Sequence, residues 1–294
     1  MGRGRSIPVA CAIITQTGER MLLALNVNNT NTVIAIFPIH EGRVGELRVT
    51  WRISTRHTQT ADEYGILVRN LLQGEGIASK DITGIVIASV VPPIDWILRQ
   101  FCERYFGHKP VFIEPGVKTG LAIRTDNPGE VGADRIANCV GAFEKYGGPC
   151  IVIDFGTATN FDVISAKGEF IGGAIAPGLN ISAEALFARA ARLPRIEIRR
   201  PAKIIGTNTV DNLQIGLYYG HLGVVDSILE RMIAELGKET ICVATGGLAH
   251  LIAGDSKYIT RIDDTLTLEG LRIIYERHRN ARARAHTDGS TAKA

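Results

Sequence analysis

Residues 149–165 read PCIVIDFGTATNFDVIS, an apolar run, a polar turn and a second apolar run. Residues 21–37, MLLALNVNNTNTVIAIF, have the same form. Asp154-Phe155-Gly156-Thr157-Ala158-Thr159 matches the shape of Asn26-Val27-Asn28-Asn29-Thr30-Asn31. Each stretch reads as two strands joined by a tight turn, and they lie about one domain length apart in the chain. A signature recurring at that spacing predicts two related halves facing each other across a cleft.

Outward from these turns, the chain alternates apolar strands with helical patterns. GELRVTWRIST reads as a further strand, and TADEYGILVRNLLQGEG as a helix opened by Thr60 with Glu63 three residues on and closed at Gly74. ITGIVIASVVPP is a buried strand ended by two prolines, IDWILRQFCERYFG a helix stopped by Gly107, and PVFIEPG another strand. Long helical patterns follow the second turn, and ETICVATGGLAHLIA then sets Gly246 and Gly247 at a strand end. Interleaved strands and helices indicate an α/β layer fold. The expected boundaries are an extension at 1–20 lying outside the fold and disordered, halves at 21–140 and 141–278, and a solvated basic tail at 279–294. Met21 is the expected start of the fold.

Composition excludes several classes. The chain has 294 residues, 45% hydrophobic and 21% charged, which suits a globular protein with a sizeable core. A net charge of +3 is too small to argue for a nucleic-acid partner. No apolar run reaches the ~18 residues of a membrane span. Five scattered cysteines, with no CxxC spacing, read as reduced and mostly buried thiols rather than a zinc site or a disulfide frame. A cytoplasmic location is expected.

The chemistry lies in the turns and in one central motif. Backbone N–H groups converging in a turn rich in Gly, Thr and Asn form an anion-binding concavity, and Thr hydroxyls donate to phosphate oxygens. Two matched turns and a late Ala-Thr-Gly-Gly supply three loops, enough for the phosphates and adenosine of a nucleotide. In DNPGEVGADR, residues 126–135, a Pro-Gly turn leads to a helix beginning near Gly132. There Asp134 is suited to accept a hydroxyl proton, and Arg135 to hold a carboxylate or a migrating phosphoryl.

The set NNTNTV, EVGADRIAN, DFGTATNFD, GGAIAPGLNISAEAL and ATGGLA, ending in TLEGLRIIYER, closely resembles the type III pantothenate kinases from about Met21 to Arg277. The resemblance implies an actin-like fold of two ribonuclease-H-like halves and a homodimer. It implies ATP-dependent phosphorylation of pantothenate's primary hydroxyl, with Mg²⁺ accompanying ATP and a monovalent cation, K⁺ or NH₄⁺. By the same resemblance Gly132, Ala133, Asp134 and Arg135 line the pantothenate pocket, and Asp134 is the general base. Thr125 lies where several relatives place a Tyr against the substrate. Thr209 corresponds to a pantothenate contact supplied by the partner subunit, although on residue type alone it reads as a helix N-cap. The nucleotide falls to Asn26, Val27, Asn28, Asn29, Thr30, Asn31, Thr32 and Val33 in the first turn, and to Thr157, Gly246 and Gly247. Asp154 corresponds to the cation ligand.

The first turn departs from the family pattern Asp-x-Gly-Asn-Thr-Asn-Thr, with Asn26 for the Asp and Asn28 for the Gly. Asn keeps the shape of Asp without its charge and tolerates left-handed φ, so the turn is expected to keep its form. One negative charge that would order Mg²⁺ is missing. Thr207 and Asn160 are lesser departures. Two functions follow: a working pantothenate kinase, or a diverged homologue of weak activity that binds nucleotide or pantothenate in a regulatory role.

Overall fold

The computed structural model describes residues 18–190 and 192–291, the side chains of 285–291 excepted. The first turn joins β1 (Arg20–Val27) to β2 (Asn31–His40), antiparallel from Arg20 opposite Ile39 to Val27 opposite Thr32. β3 (Arg43–Val44) and β4 (Val49–Ser54) pair with the other edge of β2. Helix α1 (Ala61–Gly74) carries the chain to β5 (Ile82–Ser89), parallel to β1, and α2 (Pro92–Phe106) carries it to β6 (Val111–Phe112), parallel to β5. Parallel neighbours need such crossovers. The Thr60 hydroxyl and the Glu63 carboxylate form the reciprocal cap expected for α1. Pro92 and Pro93 occupy the first turn of α2, where missing N–H groups cost nothing, and Gly107 ends that helix at φ 72°.

The second half repeats this plan. β7 (Ala122–Ile123) and α3 (Ala133–Tyr146) precede the hairpin of β8 (Cys150–Phe155) and β9 (Ala158–Ile164), extended by β10 (Glu169–Pro177). After α4 (Leu179–Arg189) and α5 (Thr209–Leu236), β11 (Ile241–Thr245) returns parallel to β8. The short α6 (Ala249–Ile252) leads to β12 (Arg261–Ile262), parallel to β11, and α7 (Leu266–Thr291) completes the described chain. The orders β4-β2-β1-β5-β6 and β10-β9-β8-β11-β12 are the same topology used twice. The fold is α/β with two related halves, as the paired turns predict, and these are of the ribonuclease-H-like kind that the resemblance implies.

Strand alternation sorts the core into three parts. Met21, Leu23, Leu25 and Val27 face an outer core with α1 and α2, while Ile151, Ile153 and Phe155 face another with α5 and α6. Leu22, Ala24, Cys150 and Val152 face a shared middle core filled by α3 and α7. Asn26 and Asp154 continue these inner sets, so both side chains leave their strand ends toward the middle. α3 and α7 cross with backbones nearly touching, since a Cβ at Gly270 would collide with the Ala137 carbonyl. Two elements cross over: β7 pairs with β10 of the second sheet, and α7 packs against β1 and β5 of the first.

Several expectations need correction. The fold begins at Arg20 rather than Met21, and Glu19 already pairs with His40 and Arg48. Most of the expected extension, residues 1–17 with Cys11, lies outside the described residues, as do 292–294 of the tail. Far from being a disordered end, residues 279–291 continue α7. Their run of Ala and Arg has high helix propensity. The other four cysteines are free and buried, as expected.

Candidate active site

Asp134 occupies the second position of α3, where its Oδ1 accepts the Arg135 backbone N–H at 2.8 Å. A helix N-terminus favours a carboxylate. Burial nevertheless pushes this carboxyl above its ordinary range, partly offset by the hydrogen bond and the charge of Arg135. Such a carboxylate is a stronger base than a solvated one. The Arg135 side chain pairs with Asp162, its Nε and Nη2 lying 2.7 and 2.5 Å from one oxygen, Oδ1. Its guanidinium lies 5.4 Å from the centre of the Phe170 ring.

One turn further along α3, the Asn138 amide donates to Asp154 Oδ2 at 3.0 Å, while the Thr267 hydroxyl donates to Asn138 Oδ1 at 2.6 Å. This chain runs from α7 through α3 to the end of β8. The other Asp154 oxygen faces the two loops that carry Gly156 and Gly246. Gly246 is at φ 92°, and a Cβ there would come within 2.5 Å of Asp154 Oδ1. Burial, then repulsion by Asp134, raises Asp154 to about 6, and burial raises Asp162 to about 6 against the pull of Arg135.

Carboxyls raised on folding hold protons in the folded chain that the unfolded chain releases. Their stability contribution is full below the ordinary value of 3.8 and is lost as pH rises through about 6. In buffer without K⁺ at pH 7, Asp154→Asn should therefore stabilise the fold by ~1–3 kcal/mol. The pH dependence of Tm between about 4 and 6 should weaken with it. A lower Tm for the variant at pH 7 would show that the carboxylate supports the fold.

The structure brings Gly132, Ala133, Asp134 and Arg135 together at the start of α3, beside Asp154. Thr125 follows β7, whose partner strand β10 sets the Phe170 ring beside Arg135; the Arg124 N–H bonds the Phe170 carbonyl, and the buried Thr125 hydroxyl has no protein partner. In the first turn, the Asn26 amide oxygen is also buried without a partner. Asn28 to Asn31 form the turn itself, closed by the Asn28 N–H to Asn31 carbonyl bond at 3.0 Å. Asn28 is not at positive φ, and neither is Gly156 at the matching place, so neither position needs glycine's freedom. Val27 and Thr32 are fully buried, Val27 in the outer core and Thr32 hydrogen-bonded to Thr55, while Val33 packs on the inner side. Those two side chains face away from the cleft, leaving only their backbone to serve a nucleotide. Thr157 and Gly247 are exposed.

Thr209 is exposed at the first position of α5 and is not the cap. Asn208 is, accepting the Asp211 N–H at 2.9 Å. Sequence reasoning missed both Asn138 and Asp162. The alternation of VIDFGTATNFD gave a signal, since it places Asp162 opposite Val152 on the inner face.

The model of the type III pantothenate kinase family matches residues 22–231. The chain belongs to that family. A type III pantothenate kinase of Acidobacterium capsulatum is 73% identical over 90% of this chain and 98% of its own length. The type III pantothenate kinase of Koribacter versatilis is 60% identical over 90% and 99%, and that of Moorella thermoacetica 54% over 88% and 100%. Among solved structures, a Baf family protein from Campylobacter jejuni aligns with TM-score 0.54 at 18% identity, over 88% of this chain and 99% of that one. The ethanolamine utilization protein EutJ of Carboxydothermus hydrogenoformans aligns at 0.51 and 12% identity, over 86% and 89%. These two likenesses concern the fold alone. As a type III pantothenate kinase, the chain departs at Asn26 in a way the structure makes concrete. Where the resemblance leads one to expect a carboxylate, this chain has a neutral amide oxygen, buried and without a protein partner.

Proposed function

We propose that the cleft between the two turns carries out the family's reaction, ATP-dependent phosphorylation of pantothenate to 4'-phosphopantothenate, the first step of coenzyme A synthesis. The observation that carries this reading is Asp134 at the N-terminus of α3, beside a fixed Arg135 and close to Asp154 at the end of β8. The first turn and the loops at Thr157, Gly246 and Gly247 hold ATP through backbone N–H groups and Thr hydroxyls. Asp134 takes the proton of pantothenate's primary hydroxyl as that oxygen bonds the γ-phosphorus and the bond to the β-phosphate oxygen breaks. Arg135 binds the anionic end of pantothenate or the migrating phosphoryl, and Thr125 offers its free hydroxyl to the substrate. Positioning and charge do most of the work in phosphoryl transfer.

When bound with ATP, Mg²⁺ would neutralise charge on the phosphates, and the free Asn26 oxygen would hold a water of that ion, more weakly than a carboxylate would. The Asp154 oxygen facing two glycine-bearing loops suits K⁺ or NH₄⁺, completed by turn carbonyls. Among the described residues no three His, Cys, Asp or Glu side chains are grouped to hold a metal ion. That donor set fits a cation held mainly by phosphates, carbonyls and water.

A homodimer completes this reading, with Thr209 reaching the partner's pantothenate pocket. Ile175 on β10, Ile181 on α4, Val210 and Val224 on α5, and Ile204 and Ile205 before α5 are all exposed. A second copy of the chain would cover these apolar side chains. Sedimentation should give twice the chain mass, and a monomer at micromolar concentration would contradict the dimer. Among the described residues no helix is long and apolar enough to cross a membrane. On the ground of the family's biosynthetic, ATP-dependent reaction, we place the enzyme in the cytoplasm.

The alternative, a weakly active binding homologue, draws on Asn26 alone. Pantothenate-dependent release of ADP in Mg²⁺ and K⁺ tests the proposal. Release that ignores pantothenate would favour the alternative.

A further inference from the structure

Asp162 enters none of the roles above, yet its environment is unusual for a carboxylate. It lies in the middle of β9, between Val152 on β8 and Gly173 on β10, with a side chain 0% exposed. Among the described residues its only side-chain hydrogen-bond partner is Arg135. Oδ1 takes both N–H groups on one edge of the guanidinium, and Oδ2 has no protein partner. Among the described residues no backbone cap, turn or second helix depends on it. A buried ion pair is a poor device for stability, since apolar residues of similar volume usually serve as well or better. A guanidinium held on one edge by a carboxylate and bordered by an aromatic ring has, by contrast, a fixed plane and a free end.

We propose that Asp162 is the positioning residue that aims the free end of Arg135 at the acceptor substrate. The fork Nε and Nη2 is committed to Asp162, and the Phe170 ring borders the guanidinium, so the remaining N–H groups keep one direction. Arg135 adjoins Asp134 in sequence. A pantothenate carboxylate held by that free end fixes where the primary hydroxyl at the other end of the substrate can lie relative to the base, and a guanidinium left to swing would fix it poorly. This inference rests on the proposed function and deepens it, because it assigns to Asp162 the geometry of acceptor binding and leaves ATP binding untouched.

The test is a double-mutant cycle read by kinetics and by calorimetric binding of pantothenate. Asp162→Asn should raise the KM for pantothenate about tenfold or more and weaken pantothenate binding in parallel, with the KM for ATP within about twofold of wild type. In an Arg135→Ala background, the same Asp162→Asn change should add less than about a twofold further loss, because a residue acting through Arg135 has nothing left to aim. Unchanged kinetics, equal rises in both KM values, or losses that simply add in the double variant would each overturn the proposal. Should Asp162→Asn not fold, Asp162→Ser repeats the test, and loss of the fold in both assigns the residue to the core. Pantothenate binding stays measurable even if no phosphorylation is found, so failure of the reaction and failure of this inference are separate results.

Discussion

Replacing Asp134 with Asn should lower kcat for pantothenate phosphorylation by ~10²-fold or more, while ATP affinity and Tm stay close to wild type. The side chain sits where a helix N-terminus and a desolvated site together produce a poised base. Asn keeps the acceptor oxygen that bonds the Arg135 N–H, so the first turn of α3 retains its local hydrogen bond. The ability to take a proton is removed, together with the charge that repels Asp154. Phosphoryl transfer leans on positioning more than on base strength, so a residual rate should survive. A large fall in Tm would instead make Asp134 a structural cap, and unaltered turnover would remove it from the chemistry.

The second large effect is a gain. Asn26→Asp should raise kcat/KM by about tenfold to a few hundredfold and sharpen its dependence on Mg²⁺. That range corresponds to ~1–3 kcal/mol of transition-state stabilisation from one restored charge near Mg·ATP. The residue is the last inner-face position of β1, 8% exposed, and its orphaned amide oxygen marks the place a carboxylate oxygen would take. Without Mg²⁺ the new carboxylate would be buried and unpaired, so the variant should lose stability in chelator and recover it with the metal. Asn28→Gly should do far less, because neither Asn28 nor its counterpart Gly156 adopts positive φ. If Asn26→Asp leaves activity and metal response as they were, the missing acid is compensated elsewhere or is irrelevant.

Much of the fold is legible because its signals are local. The two strand–turn–strand stretches, the Thr60–Glu63 cap and the stop at Gly107 each depend on residues within a few positions, and each is found where the sequence puts it. What escapes notice depends on register or on distant contacts. Val27 and Thr32 belong to an apparent phosphate turn, yet strand parity from Leu22 and Ala24 already assigns their side chains to the outer side. Asp162 gains its meaning only when β9 aligns it with Val152 and α3 brings Arg135 across 27 residues of sequence. β7, two residues long, carries too little pattern to announce that it joins the second sheet. At the start of α5, both Asn208 and Thr209 are good caps by type, and backbone geometry selects Asn208.

The central claim is that this cleft still performs the family's reaction without an acid at residue 26. Its most direct test is mass spectrometry of pantothenate incubated with the purified chain, ATP, Mg²⁺ and K⁺. The expected result is pantothenate bearing one added phosphoryl group on its primary hydroxyl, formed in step with ADP and sharply reduced in Asp134→Asn. Pantothenate recovered unchanged, while ATP still binds, would contradict the account.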